Sequence, residues 1–116
     1  YVKNFQNWLT NEFSICNKLI HKYKYNYHAF TIILKKNERE KFLKYLKKNN
    51  IIAFISFEAL HLSKMGKKWL THRTDLENTN EIIKKIIRLP MHNKLTIREV
   101  DYVSQKVKEY FHKKDT

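Results

Sequence analysis

Apolar residues recur along this chain at two spacings, one typical of helices and one typical of strands. Steps of three and four residues predict an amphipathic helix from about residue 4 to residue 21. Its apolar stripe consists of Phe5, Trp8, Leu9, Cys16, Leu19 and Ile20. HAFTIILK, residues 28 to 35, is short, β-branched and apolar, and it predicts a strand. IIAFISF, residues 51 to 57, predicts a second, buried strand.

Three capping-box patterns predict the starts of further helices. Asn37 with Glu40 precedes a helix over residues 37 to 49. Asn78 with Glu81 precedes a helix whose isoleucines share one face, namely Ile82, Ile83, Ile86 and Ile87. Thr96 with Glu99 precedes the last helix, residues 97 to 113. Its apolar stripe is Val100, Val103, Val107, Tyr110 and Phe111.

Pro90, the only proline, limits the helix that follows Asn78. The residue before a proline is pushed toward extended geometry, so this helix must end by Leu89. Pro90 is therefore predicted at a junction between two helices, with residues 89 to 91 as a short extended link or an edge strand. The basic stretch from residue 62 to residue 76 holds the only glycine, Gly66, and predicts a loop with one helical turn.

This order of elements predicts one α+β (or small α/β) domain, in which helices cover a small sheet of two to three strands. We expect helices 37–49 and 97–113 on one face of the sheet. The strands would pair antiparallel, and parallel pairing of the first two is also compatible with a right-handed crossover. The length of 116 residues is sufficient for one domain with a core.

Charge and cysteine content narrow the classes of function. The net charge of +13 favours polyanionic partners, namely nucleic acid, anionic lipid or a phosphorylated ligand. The single cysteine, Cys16, excludes an internal disulfide framework, and the cytoplasm is the default location. No run of 18 apolar residues predicts a membrane span. Because the chain begins at Tyr1 without a methionine, we expect a fragment of a longer protein.

Neither a metal site nor a nucleophilic triad is supported. The six histidines show no His-x-x-x-His spacing, and no Cys-x-x-Cys pair exists. Cys16 lies on the predicted buried stripe of the first helix and is interpreted as a small hydrophobic residue.

The residues around Pro90, RLPMHNKLTIREVDYVSQKVKEYF, resemble the C-terminal signature of the DegT/DnrJ/StrS family of PLP-dependent sugar aminotransferases. His28 and Phe30 resemble the family's opening of the first strand of its small domain. FLKYLKKNNI resembles the next helix and the start of the next strand. Leu60-His61 and Gly66 fall where the family has its Tyr-x-Pro-Leu-His motif and a following glycine. The resemblance runs from His28 to Phe111 and is nearest to dTDP-4-keto-6-deoxyglucose transaminases.

The resemblance implies the C-terminal small domain of an aspartate-aminotransferase-type fold. The full-length parent would transfer an amino group from glutamate to a nucleotide-linked keto-sugar of the dTDP-4-keto-6-deoxyhexose type, in lipopolysaccharide or other deoxysugar biosynthesis. PLP would supply the electron sink. In this family the lysine that bonds PLP lies in a larger N-terminal domain, so this segment would hold no catalytic or cofactor-binding residue. The family would form a homodimer.

The same resemblance suggests substrate-binding residues. His61 would form part of the wall of the sugar site, and the alternative is a loop histidine that closes the second strand. Ser56, Phe57 and Ala59 replace the family's His, Tyr and Pro, so the substrate differs or activity is lost. The basic residues that follow could meet a nucleotide diphosphate or form a solvated face; they are Lys64, Lys67, Lys68, His72 and Arg73. His92 is interpreted as a structural residue at the Pro90 junction.

Three alternatives stay open. SFEALH, residues 56 to 61, also resembles the family's lysine-bearing stretch, with His61 in the lysine position. A nucleic-acid-binding module is favoured by the net charge and by tyrosines that alternate with lysines, namely Lys22, Tyr23, Lys24, Tyr25 and Tyr27. However, basic residues are spread over every element and no nucleic-acid-binding motif is present. The third alternative is a stand-alone remnant that docks to a partner through an apolar patch.

Overall fold

A three-stranded antiparallel sheet organises the domain. The computed structural model describes residues 1–6, 13–15, 26–55, 58–70 and 76–112. The strands are β1 (Phe13–Ile15), β2 (Phe30–Leu34) and β3 (Ile86–Leu89), in the spatial order β1-β2-β3. Ile15 lies opposite Ile32, and Phe30 lies opposite Leu89. The predicted α+β class is confirmed, with antiparallel pairing.

Helices flank this sheet. They are α1 (Val2–Gln6), α2 (Arg39–Lys48), a 3-10 helix (Leu60–Leu62), α3 (Lys64–Trp69), α4 (Glu77–Ile83) and α5 (Ile97–His112). The predicted strand 28–35, the helix 37–49, the helical turn within 62–76 and the helix 97–113 all correspond to observed elements. Thr96 and Glu99 form the predicted capping box: the Thr96 N–H donates to Glu99 Oε2 at 2.7 Å and the Glu99 N–H donates to Thr96 Oγ1 at 3.3 Å.

The core forms on one face of the sheet. Alternate residues of β2 are buried, because successive side chains of a strand point to opposite faces. Phe42 of α2 and Phe111 of α5 pack against each other, with ring centroids 5.3 Å apart. The buried cluster is Phe5, Phe30, Ile32, Leu34, Phe42, Leu46, Ile51, Ile87, Leu89, Val103, Val107 and Phe111. Since α2 and α5 share this cluster with one face of β2, both helices cover that face, as expected.

The prediction of one helix from 4 to 21 is wrong at residues 13 to 15. These residues form β1, which pairs with β2 and is the outer strand among the described strands. Phe-Ser-Ile also fits the two-residue alternation of a strand, and the backbone hydrogen bonds to β2 override the helical spacing of the flanking residues. The other residues of the predicted stripe beyond Phe5 lie outside the described residues.

The predicted buried strand 51–57 is also wrong. Residue 54 forms a single bridge with Arg88 at the free edge of β3: the Phe54 N–H donates to the Arg88 carbonyl at 2.9 Å, and the reverse bond measures 2.7 Å. Ile51 is buried, whereas Ile52, Phe54 and Ile55 are 68%, 58% and 47% exposed. An apolar run alone does not ensure burial, since burial needs another element on that side. Ser56 and Phe57 lie outside the described residues.

The isoleucine helix after Asn78 is shorter than predicted. α4 ends at Ile83, and Ile86 and Ile87 belong to β3. The β-branched run ahead of Pro90 gains strand pairing with β2 and buries Ile87 and Leu89 in the core. Pro90 consequently joins a strand to α5 and not one helix to another. The Tyr1 hydroxyl donates to the Pro90 carbonyl at 3.0 Å.

Two of the three predicted capping boxes do not form. α2 begins after Glu38, and no side-chain hydrogen bond caps it. The buried Glu38 carboxylate instead accepts a hydrogen bond from the Tyr110 hydroxyl at 3.0 Å. α4 begins before Asn78, and Glu81 pairs with Lys85 at 3.1 Å. Of the two acidic residues at the predicted spacing, Glu40 lies 3.7 Å from Arg39 Nε, and Glu81 forms an i,i+4 contact.

Candidate functional site

Of the predicted substrate-binding residues, the structure describes His61 and three lysines, namely Lys64, Lys67 and Lys68. His61 lies in the 3-10 helix, and Lys64 is the first residue of α3. Ser56, Phe57 and Arg73 lie outside the described residues, as does His72. Lys64 is exposed and is not among the residues that line the pocket beside His61. The substrate-binding roles of these residues stay predictions. His61, which lines a pocket, is the residue on which we base the candidate site.

Ser63 connects the 3-10 helix to α3. Its backbone is extended, as is usual for an N-cap residue, and its hydroxyl accepts a hydrogen bond from the Gly66 N–H at 2.9 Å. The same hydroxyl donates to the Leu60 carbonyl at 2.7 Å. One side chain thus caps α3 and holds the preceding turn against it.

Gly66 allows this turn to pack closely. A β-carbon at residue 66 would overlap the backbone carbonyl of Leu60 and touch Ser63 Oγ. Gly66 has no positive φ, so the requirement is one of space and not of backbone angle. The sequence identified Gly66 by its position in a motif, and the structure gives the physical reason for a glycine there.

His61 is held by α4. Its Nε2 lies 2.8 Å from Oδ1 of Asn80, and both side chains are half-buried. Sequence reasoning missed Asn80, because it treated this region of the chain only as a source of helix caps. The contact joins the 3-10 helix to α4 across 19 residues of sequence.

An open pocket of about 550 Å³ lies beside this pair. It is lined by Leu60, His61, Gly66, Trp69, Leu70, Leu76 and Thr79. Trp69 is 71% exposed, its indole N–H donates to Met65 Sδ at 2.9 Å, and Lys68 Nζ lies 5.9 Å from its ring centroid. The described lining is therefore an apolar, aromatic surface with two polar side chains, His61 and Thr79. It suits a ring that carries both apolar carbons and hydroxyl groups.

A second pocket, of about 540 Å³, lies at the Pro90 junction and includes His92, Glu99 and Tyr102. Hydrogen bonds from the Thr96 N–H and hydroxyl hold the pKa of Glu99 below its usual range. The His92 side chain is exposed, and its carbonyl accepts from the Leu95 N–H at 3.1 Å in the turn before α5. That backbone bond is consistent with the structural interpretation of this residue.

The described residues contain no group of three His, Cys, Asp or Glu side chains placed to hold a metal ion. No helix in the part of the chain that the structure describes has both the length and the apolar character to cross a membrane.

Comparison with known proteins supplies an independent test. The family model for the DegT/DnrJ/EryC1/StrS aminotransferase family matches residues 2–108. No curated protein matches significantly.

Solved aminotransferase structures share the fold of this chain. Helicobacter pylori PseC, an aminotransferase involved in the biosynthesis of pseudoaminic acid, is 18% identical with a TM-score of 0.77, over 97% of this chain and 30% of its own. The aminotransferase TlmJ from Streptoalloteichus hindustanus is 15% identical with a TM-score of 0.81, and the match covers 98% of this chain and 30% of TlmJ. The PMP form of Spr1654 from Streptococcus pneumoniae is 22% identical with a TM-score of 0.75, and the match covers 97% of this chain and 28% of Spr1654. These likenesses show the fold, and this chain spans less than a third of each solved relative.

Proposed function

Because this chain belongs to the DegT/DnrJ/EryC1/StrS aminotransferase family, we propose that it is the small C-terminal domain of a PLP-dependent sugar aminotransferase. The observation that carries the proposal is the family match over residues 2–108. The substrates are glutamate and a nucleotide-linked keto-sugar of the dTDP-4-keto-6-deoxyhexose type. The enzyme is a cytoplasmic homodimer that serves lipopolysaccharide or other deoxysugar biosynthesis.

The pocket beside His61 does not itself fit PLP. Among the described residues, its lining contains no lysine to bond the cofactor and no arginine for the cofactor's phosphate. We therefore assign no chemical step to this chain. PLP, which supplies an electron sink when bound, is held by the rest of the complete enzyme.

The role of this domain is to form one wall of the sugar site. Trp69 offers an exposed aromatic face for a sugar ring, while His61 and Thr79 offer polar contacts in the same lining. Ser56 and Phe57 precede His61 along the chain, and we place them in the same wall. Lys64 and Arg73 provide positive charge for the nucleotide diphosphate.

The exposed side chains of Ile52, Phe54 and Ile55, here called the apolar strip, mark the contact with the rest of the enzyme. Each is at least 47% exposed, and Ile51 beside them belongs to the core. A run of large apolar side chains open to water is typical of a surface that another part of the protein covers. The solved relatives are more than three times as long as this chain, which leaves ample polypeptide to cover the strip.

A basic nucleic-acid-binding module and a stand-alone interaction domain are the competing functions. The Lys22 to Tyr25 stretch that favours nucleic acid lies outside the described residues. The apolar strip suits an interaction domain as well as an enzyme domain, but the family match favours the enzyme.

The test is the mass and absorption spectrum of the protein produced from its complete gene. We expect a chain several times longer than this one, with a yellow absorption band that borohydride bleaches. Turnover of a panel of nucleotide keto-sugars, with glutamate as donor, would then identify the substrate. A chain of this length without the band would contradict the proposal and favour the interaction domain.

A further inference from the structure

The contact between His61 and Asn80 has a consequence for the proton on the imidazole. A neutral histidine carries one ring N–H, and its other nitrogen has a lone pair. The side-chain oxygen of Asn80 can only accept a hydrogen bond. Since this oxygen lies 2.8 Å from His61 Nε2, the proton belongs on Nε2. Nδ1 then has the lone pair.

We infer that Asn80 is a positioning residue that fixes His61 in the Nε2–H form, so that Nδ1 presents a hydrogen-bond acceptor to the sugar. The identity of the ligand rests on the proposed function, whereas the tautomer does not. His61 lines the pocket and Asn80 does not, so Asn80 acts through the imidazole. A positioning contact of this kind orients the ring and settles its tautomer together.

An acceptor at Nδ1 restricts which face of a sugar can meet the pocket. A hydroxyl group can donate to it, whereas a keto oxygen would place two acceptors against each other. A contact between two acceptors is more unfavourable than the simple absence of a bond. Among the other described residues of the lining, four have apolar side chains, namely Leu60, Trp69, Leu70 and Leu76. The keto carbon of the substrate therefore faces away from His61, and a hydroxyl-bearing carbon faces toward it.

The experiment uses the complete natural chain that carries this sequence, labelled with 15N in histidine only. Long-range proton–nitrogen correlations report the tautomer at about pH 9, where an ordinary imidazole is neutral. His61→Gln assigns the signal. Asn80→Asp keeps an acceptor oxygen and removes the amide donor, while Asn80→Leu removes both. Asn78→Leu, an exposed position on the same helix, is the matched control.

The expected result is the Nε2–H tautomer in the wild-type protein, in Asn80→Asp and in Asn78→Leu, with a mixture of tautomers in Asn80→Leu. The Nδ1–H form in the wild type would overturn the inference, as would an unchanged Asn80→Leu spectrum. If Asn80→Leu does not fold, Asn80→Ala removes the same two polar groups and takes its place. No substrate is needed, so failure of the proposed function would appear separately, as a missing PLP band.

Kinetics supply the second measurement. With dTDP-4-keto-6-deoxyglucose as the probe, Asn80→Leu should raise KM about fivefold and leave kcat nearly unchanged, since one hydrogen bond loses its preferred orientation. Asn80→Asp should keep a KM close to that of the wild type. A loss confined to kcat would contradict a positioning role in sugar binding.

Discussion

The backbone carbonyl of Leu60 occupies the space where a β-carbon on Gly66 would stand. This close approach presses the 3-10 helix that carries His61 against α3, and the Ser63 hydroxyl bonds to both sides of the contact. The position of His61 in the pocket therefore depends on a residue that has no side chain.

Replacement of Gly66 with alanine should destabilise the protein. Alanine is favoured over glycine in a helix by about 1 kcal/mol, so helix propensity alone predicts a gain. Overlap with the Leu60 carbonyl should instead lower the free energy of unfolding by about 1 to 3 kcal/mol. Chemical denaturation measures the difference, and Lys67→Ala, exposed in the same helix, is the control. A more stable Gly66→Ala protein would show that the turn can move away without loss.

The Tyr1 phenol should make stability fall at alkaline pH. Burial, with a smaller contribution from the charge of Glu99, raises the pKa of Tyr1 to about 12. Because the folded-state pKa exceeds the unfolded value of about 10, this contribution is complete below pH 10 and is lost as the pH rises toward 12. Burial also raises the pKa of Tyr45 and the pKa of Tyr110. The stability that each of these two tyrosines contributes therefore also decreases at alkaline pH.

Thermal unfolding midpoints between about pH 8 and pH 11 would measure this effect. Tyr1→Phe should show a shallower decline with pH than the wild type. The difference between the two proteins at the lower pH isolates the lost hydrogen bond to the Pro90 carbonyl. Parallel curves for the two proteins would mean that Tyr1 does not carry the alkaline transition.

The success of sequence reasoning depended on how local each contact is. Thr96 and Glu99 form their capping box because both partners lie within one helical turn. Ile86 and Ile87 fit a helical face equally well by spacing, but pairing of this segment with β2 decided in favour of a strand. The apolar run 51–55 likewise became an exposed edge, since no described element covers its outer side.

The same distinction applies to the site. The sequence pointed to His61 and Gly66 because both belong to one short motif, and the substrate-binding role of His61 stays a prediction. Asn80 could not be found from sequence, since its role depends on the docking of α4 against the 3-10 helix. The local sequence around a polar side chain on a helix does not indicate which distant ring that side chain will contact.

Substitutions in the apolar strip test whether the rest of a longer enzyme covers it. Ile52 is 68% exposed here, so Ile52→Ser should change the stability of the 116-residue chain by less than about 0.5 kcal/mol. In the complete enzyme, where we propose that the strip is covered, the same change should cost about 2 kcal/mol. Ile97, 78% exposed at the start of α5, supplies the control Ile97→Ser.

Thermal unfolding of both lengths of chain gives the comparison. A larger loss for Ile52→Ser in the complete enzyme, with little loss for Ile97→Ser, would support the contact. Equal behaviour of the two variants in both proteins would mean that the strip stays exposed.

His61 itself should matter for sugar binding and not for chemistry. In the complete enzyme, His61→Asn should raise KM for the nucleotide sugar about fivefold, because one hydrogen bond to the substrate is lost, while kcat changes little. His92→Asn, which alters an exposed histidine at the Pro90 junction, is the matched control and should leave KM unchanged. Since His61 also contacts Asn80, the unfolding midpoint of His61→Asn must be measured alongside. An unchanged KM in a well-folded His61→Asn enzyme would remove His61 from the sugar site and leave it as a residue that closes the turn before α3.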